Sequence, residues 1–168
     1  MLKLNNNIQG EKYNKLIEIC FDISTYFSLT KPTYQDMGSL YLNFLDEMSP
    51  YYIRTINRLH WFSYYVLPSN PLEVSIYHAD KGAETIIKKY FDNIFQREPS
   101  KDGKWGHVKN LPEDLCFFYE KELFLGTVSH EKICFAYPPT EEIANQFKTL
   151  GDWEEVEYMP EEHIRIEI

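Results

Sequence analysis

Cysteine is scarce in this chain: Cys20, Cys116 and Cys134 are the only three in 168 residues. Their odd number, wide spacing and apolar flanks argue against a disulfide framework or a cysteine-rich zinc module, and leave buried, reduced thiols as the expectation. Glycine is scarce too, at 7 residues. Gly103 and Gly106 have no Ser or Thr opening a helix behind them, so the sequence carries no phosphate-cradling loop. It also lacks a nucleophile-elbow motif and a histidine pair at metal-ligand spacing. No apolar run approaches the roughly 20 residues of a membrane-spanning helix. The first ten residues, MLKLNNNIQG, have no apolar stretch behind the lysine of the kind an export signal carries. A cytoplasmic protein is therefore expected. Positive charge is the other shortage, with 17 Lys and Arg against 26 Asp and Glu and a net charge of -9. Gripping a phosphate backbone takes clustered Lys and Arg, so nucleic acid is a poor partner.

Aromatic residues are abundant, at 16% with 13 Tyr and 11 Phe. They serve cores and interfaces alike, so the excess is compatible with a recognition surface. The length suits one domain, 1–168, with one core. The chain is organised around Asp114 to Tyr137, where three strand-like runs follow one another with short polar breaks at Glu120-Lys121 and His130-Glu131. This predicts a three-stranded meander over about 115–137, with Phe118 opposite Leu123, Cys116 opposite Leu125, Thr127 opposite Cys134 and Val128 opposite Ile133. Cys116, Phe118, Leu123, Leu125, Thr127, Cys134 and Ala136 would then share one face. Phe117, Phe124, Val128, Ile133, Phe135 and Tyr137 would share the other. Both faces are largely apolar, so the meander is expected to be covered on both sides by helices or by another protein.

Helical spacing predicts helices from Glu11 to Phe27 and from Tyr34 to Leu45. Ser49-Pro50 reads as the start of a third helix, continuing to Val66 before Pro68, with His60 as a core residue inside its aromatic second half. Leu72 to His78 alternates and reads as a strand with one wet face. Asp80 caps a helix with Ala83, Ile86, Ile87, Tyr90, Ile94 and Phe95 as its buried stripe, while Thr140 caps another ended by Gly151. Ser100 to Pro112 reads as a loop, Trp153 to Tyr158 as a further strand, and His163 to Ile168 as a terminal strand with Ile164, Ile166 and Ile168 inward. The predicted class is α+β: an antiparallel sheet built on the meander, with strands near 72–78 and 163–168, packed by amphipathic helices.

The charge is uneven. From Gly151 to Ile168, seven acids face one base, Arg165, which places -6 of the net charge in the tail. Binding is accordingly expected at Trp105, His107, Trp153, Glu154, Glu155 and Glu157, against a basic protein. A small, acidic, aromatic-rich chain without a catalytic motif resembles in type the bacterial immunity proteins that block toxins, a profile that many unrelated folds share. The likeness implies a non-enzymatic inhibitor of a basic partner, without cofactor or metal. Two alternatives stand beside it. One is a small hydrolase or ligand-binding protein in which His78 and Asp80 meet His130 and Glu131, as base and orienter or as metal ligands. The other is a structural subunit of a homo-oligomer.

Overall fold

Aromatic and β-branched residues are frequent in the strands, and the architecture follows from how those strands pair. The computed structural model describes residues 1–31, 38–96 and 111–168. The strands are β1 (Leu2–Leu4), β2 (Tyr26–Thr30), β3 (Tyr52–Arg58), β4 (His60–Trp61), β5 (Tyr64–Tyr65), β6 (Leu72–His78), β7 (Glu113–Tyr119), β8 (Glu122–Val128), β9 (Ile133–Ala136) and β10 (Trp153–Glu155). The helices are α1 (Gly10–Ile23), α2 (Ser39–Met48), α3 (Lys81–Tyr90) and α4 (Glu141–Leu150). Eight strands form one sheet in the order β10-β1-β9-β8-β7-β2-β6-β3, and β4 pairs with β5 in a separate hairpin. Every neighbouring pair in the sheet is antiparallel. The chain is a single α+β domain, as its patterning predicts.

The meander lies at the sheet's centre. Phe118–Leu123, Thr127–Cys134 and Val128–Ile133 pair as expected, but Phe117 rather than Cys116 faces Leu125. The cause is a β-bulge, in which Phe124 is the extra residue of β8. A bulge reverses the alternation beyond it, so the expected faces are partly exchanged. Phe117, Phe124, Leu125, Cys134 and Ala136 lie on the helix-covered face. Cys116, Phe118, Leu123, Val128 and Phe135 lie on the opposite one. Both faces are covered, the second by the β4–β5 hairpin and the C-terminal segment, whose Trp61, Phe62 and Ile166 are buried there.

The expected helix from Ser49 to Val66 is not formed. Ser49–Tyr51 makes a single 3₁₀ turn with Pro50 in its first positions, and the chain then extends as β3. Tyr52, Ile53, Thr55 and Ile56 are strand formers, and pairing with β6 decides the conformation. The expected first helix likewise ends at Ile23 instead of Phe27, because Tyr26–Thr30 inserts as β2 between β6 and β7. The second helix ends at Met48, and part of its expected start lies outside the described residues. Strand Leu72–His78 forms as expected, but Tyr77 on its supposed wet face is buried and stacks on Phe27 at 5.2 Å. His163–Ile168 is no strand: it joins β8 through one Glu122–Arg165 bridge, with Leu123 N donating to Ile164 O and Ile166 N to Lys121 O, both at 3.0 Å. Ile166 is buried as predicted, whereas Ile168 is exposed.

Both predicted caps form. Asp80 Oδ1 accepts from Gly82 N at 2.8 Å, and Thr140 Oγ1 from Ile143 N at 3.3 Å. α3 is tied to α1 through Glu84, which is buried and accepts from Lys81 Nζ and Lys88 Nζ, each at 2.8 Å. Those lysines reach α1 at Asp22 and Glu18, each at 2.6 Å. Burial raises the Glu84 pKa, but hydrogen bonds from Lys81 and Lys88 outweigh it and hold the group below its ordinary value. A depressed folded-state pKa gives stability that is present above the unfolded value and is lost as pH falls through the folded one. Glu84→Gln is therefore expected to cost about 2 kcal/mol at neutral pH. It should also flatten the loss of stability below about pH 4.5, where unfolded glutamate protonates. Urea unfolding at pH 7 and at acid pH checks both effects.

Candidate functional site

The densest polar constellation sits where β7 begins. Asp114 is 1% exposed and has φ 55°, a left-handed conformation that Asp adopts more readily than most residues. Thr30 Oγ1 and Tyr64 OH donate to its Oδ2 at 3.0 and 2.9 Å, and Ser129 N donates to its Oδ1 at 2.7 Å. Asp114 N donates in turn to Ser129 Oγ at 3.1 Å, and Ser129 Oγ to Gln96 Oε1 at 2.9 Å. Burial, then the charge of Asp114, pushes the Tyr64 phenol far above its ordinary pKa, which keeps it a donor. His130 packs edge-on against Tyr64 at 5.6 Å. Ligand atoms of Glu113, Asp114 and His130 lie within 4.8 Å of one another, so this trio is the one group of described residues able to hold a metal ion. Three of the roughly four acceptor positions of Asp114 are nevertheless already filled, which makes it a structural hub joining β2, the hairpin and the turn after β8.

The catalytic candidates do not meet. His78 ends β6, beside Tyr26 and, one strand further, Phe118. His130 follows Ser129, which is bonded to Asp114. Phe118 and Asp114 are four residues apart along β7, about 13 Å at the rise of a strand. His78 and Asp80 thus occupy one end of the sheet, and His130 and Glu131 the other. Asp80 acts as a helix cap, while His130 Nε2 lies 3.8 Å from Glu131 Oε1. The three cysteines are free and buried, and burial pushes all three thiols up, Cys116 to about 12. None is an activated nucleophile.

Among the binding candidates, Trp105 and His107 lie outside the described residues. Trp153 is buried in β10 and stacks on Phe147 at 5.4 Å, anchoring the strand to α4. Glu154, Glu155 and Glu157 are exposed. β10 is one edge of the sheet, and a shallow depression of about 440 Å³ lies beside it. Met1, Leu2, Pro138 and Pro139 line its apolar side, with Glu141 and Glu155 as its acids. Lys148 donates to Glu155 at 2.7 Å and holds its pKa below the ordinary value. These acids are legible in the sequence, whereas the Asp114 hub is not, because its partners are distant in the chain. Its only local signal was an Asp before a strand.

Comparison with protein-family models, curated proteins and solved structures gave no match. The functional reading therefore rests on this chain's own residues.

Proposed function

We propose that the chain is a non-enzymatic protein-binding module of the immunity type, whose acidic edge docks a basic partner. The observation that carries this reading is the depression beside β10, which sets an apolar lining next to Glu141 of α4 and Glu155 of β10, the last strand of the sheet among the described residues. Lys and Arg side chains fit such a surface: the aliphatic stem lies on Pro138 and Pro139 while the charged head reaches the acids. Glu154 and Glu157 extend the negative field along the same edge, and a field of that kind accelerates the encounter with a basic protein. His78 and Asp80 stand at the opposite end of β7 from His130, which favours a binding role over the enzymatic alternative.

The test uses wild-type protein and an E154Q/E155Q/E157Q variant as baits in extracts of the native organism, followed by association kinetics on whatever the wild type retains. The three residues are exposed, so the variant should fold. A partner of high pI is expected on the wild type, with an on-rate reduced about tenfold in the variant and less dependent on salt. An unchanged on-rate and salt dependence would overturn the electrostatic part of the reading.

A further inference from the structure

We propose a second binding site, for a small organic phosphate, in the pocket between the β3–β4 turn and the C-terminal segment. Arg58, His60, Trp61, Ile164, Arg165 and Glu167 line this pocket of about 330 Å³. Its size is at the small end of the range for ligand sites, about 300–1,000 Å³. It shares no lining residue with the acidic depression, so each reading can fail without the other.

The pocket is assembled from two distant parts of the chain. Arg58 ends β3, and His60 and Trp61 form β4, which the hairpin carries across the second face of the sheet. Trp61 is buried there, 6.2 Å from the ring of Phe118 on β7. The other wall, Ile164 to Glu167, is fixed to the start of β8 by the two backbone hydrogen bonds at Ile164 and Ile166. His60 is oriented by stacking on Tyr65, at 4.2 Å and 13°. His60 is not the core residue of a helix that its aromatic neighbours suggest, but stands half-exposed at the pocket.

Two arginines and a histidine thus line one cavity of a chain whose net charge is -9. A single Arg fork already satisfies both oxygens of a carboxylate. Two forks from separate segments, with an imidazole beside them, offer more donors than a carboxylate has oxygens and match the three terminal oxygens of a phosphate monoester. Ile164 and Trp61 supply apolar contact for the organic group that bears it. Acids temper the site: Glu167 lines the same pocket, and Arg165 Nε lies 3.4 Å from Glu122 Oε1. That opposition permits a test in both directions.

The experiment titrates the full chain with phenyl phosphate, inorganic phosphate and benzoate at constant ionic strength. Calorimetry and the indole N–H resonance of Trp61 are the readouts. Phenyl phosphate should bind most tightly, at about millimolar Kd or better. Inorganic phosphate should be weaker for want of the apolar contact, and benzoate weakest. R58A and R165A should each weaken phenyl phosphate about tenfold, R58K less than R58A, and E167Q should tighten it. R58K, which keeps the charge and the aliphatic stem, guards against a folding defect in R58A. The proposal is overturned if phenyl phosphate leaves the Trp61 resonance unmoved at about 10 mM, if both arginine variants bind as the wild type does, if benzoate binds as well as phenyl phosphate, or if E167Q fails to tighten binding.

Discussion

Phe62→Ala is expected to destabilise the domain by about 3–5 kcal/mol, which for a chain of this length lowers Tm by roughly 6–20 °C. Phe62 is fully buried at the turn of the β4–β5 hairpin, with its ring edge-on to Phe135 at 5.8 Å. Gly126 is its seat: a Cβ there would stand 3.0 Å from the Phe62 ring, closer than a side chain tolerates without movement. This accounts for a glycine in the middle of a central strand, where it would otherwise weaken the sheet. The hairpin has only a two-residue pairing and is marginal alone, so its side chains hold it in place. Truncation removes the main contact with β8 and β9 and opens water access to Cys116, Phe118 and Val128. Urea unfolding together with dye binding to exposed apolar surface checks this. A loss below about 1 kcal/mol would mean that the C-terminal segment alone covers the second face.

Local patterns made the central meander, β6, α3 and α4 legible, because each is specified by consecutive residues: alternation in Leu72–His78, a regular stripe behind Asp80, a Thr cap and a glycine stop around α4. Elsewhere the same residues fit two periods. Ile53, Ile56, Leu59, Ser63 and Val66 are spaced as a helix requires, yet Tyr52–Arg58 extends because β6 offers it a partner. Phe27 continues the stripe of α1 while belonging to β2, whose pairing partners in β6 and β7 lie at least 44 residues away in the chain. The bulge at Phe124 is a one-residue event with no marker in the sequence, and it redistributes the faces of the meander. The candidate site was less legible still. His78-Asp80 and His130-Glu131 are each recognisable locally, but only the strand order shows that they stand at opposite ends of β7. The pocket at Arg58 and Arg165 depends on a hairpin that helical spacing had concealed.

Asp114→Ala is expected to cost about 2–5 kcal/mol, from buried neutral donors left unpaired and from the backbone conformation. The alanine would leave Tyr64 OH and Ser129 N without the acceptor they use in a buried setting, each at about 1–3 kcal/mol. Thr30 loses less, because its hydroxyl also reaches Glu113 O at 3.2 Å. Alanine must further adopt φ 55°, at about 1–2 kcal/mol for a residue with an ordinary Cβ. These contributions overlap, since relaxation of the turn would relieve several together. Asp114→Asn separates them: asparagine accepts the left-handed backbone and keeps the size, but its amide NH₂ must face at least one of three donors. Its expected cost is about 1–3 kcal/mol. Because Asp114 joins Thr30, Tyr64 and Ser129 from three separate segments, both variants should also accelerate hydrogen exchange at the Ser129 amide and loosen the hairpin through Tyr64. If Asn were as damaging as Ala, the acceptor pattern rather than the backbone conformation would dominate; if Ala cost less than about 1 kcal/mol, Asp114 would not be the hub that its hydrogen bonds describe.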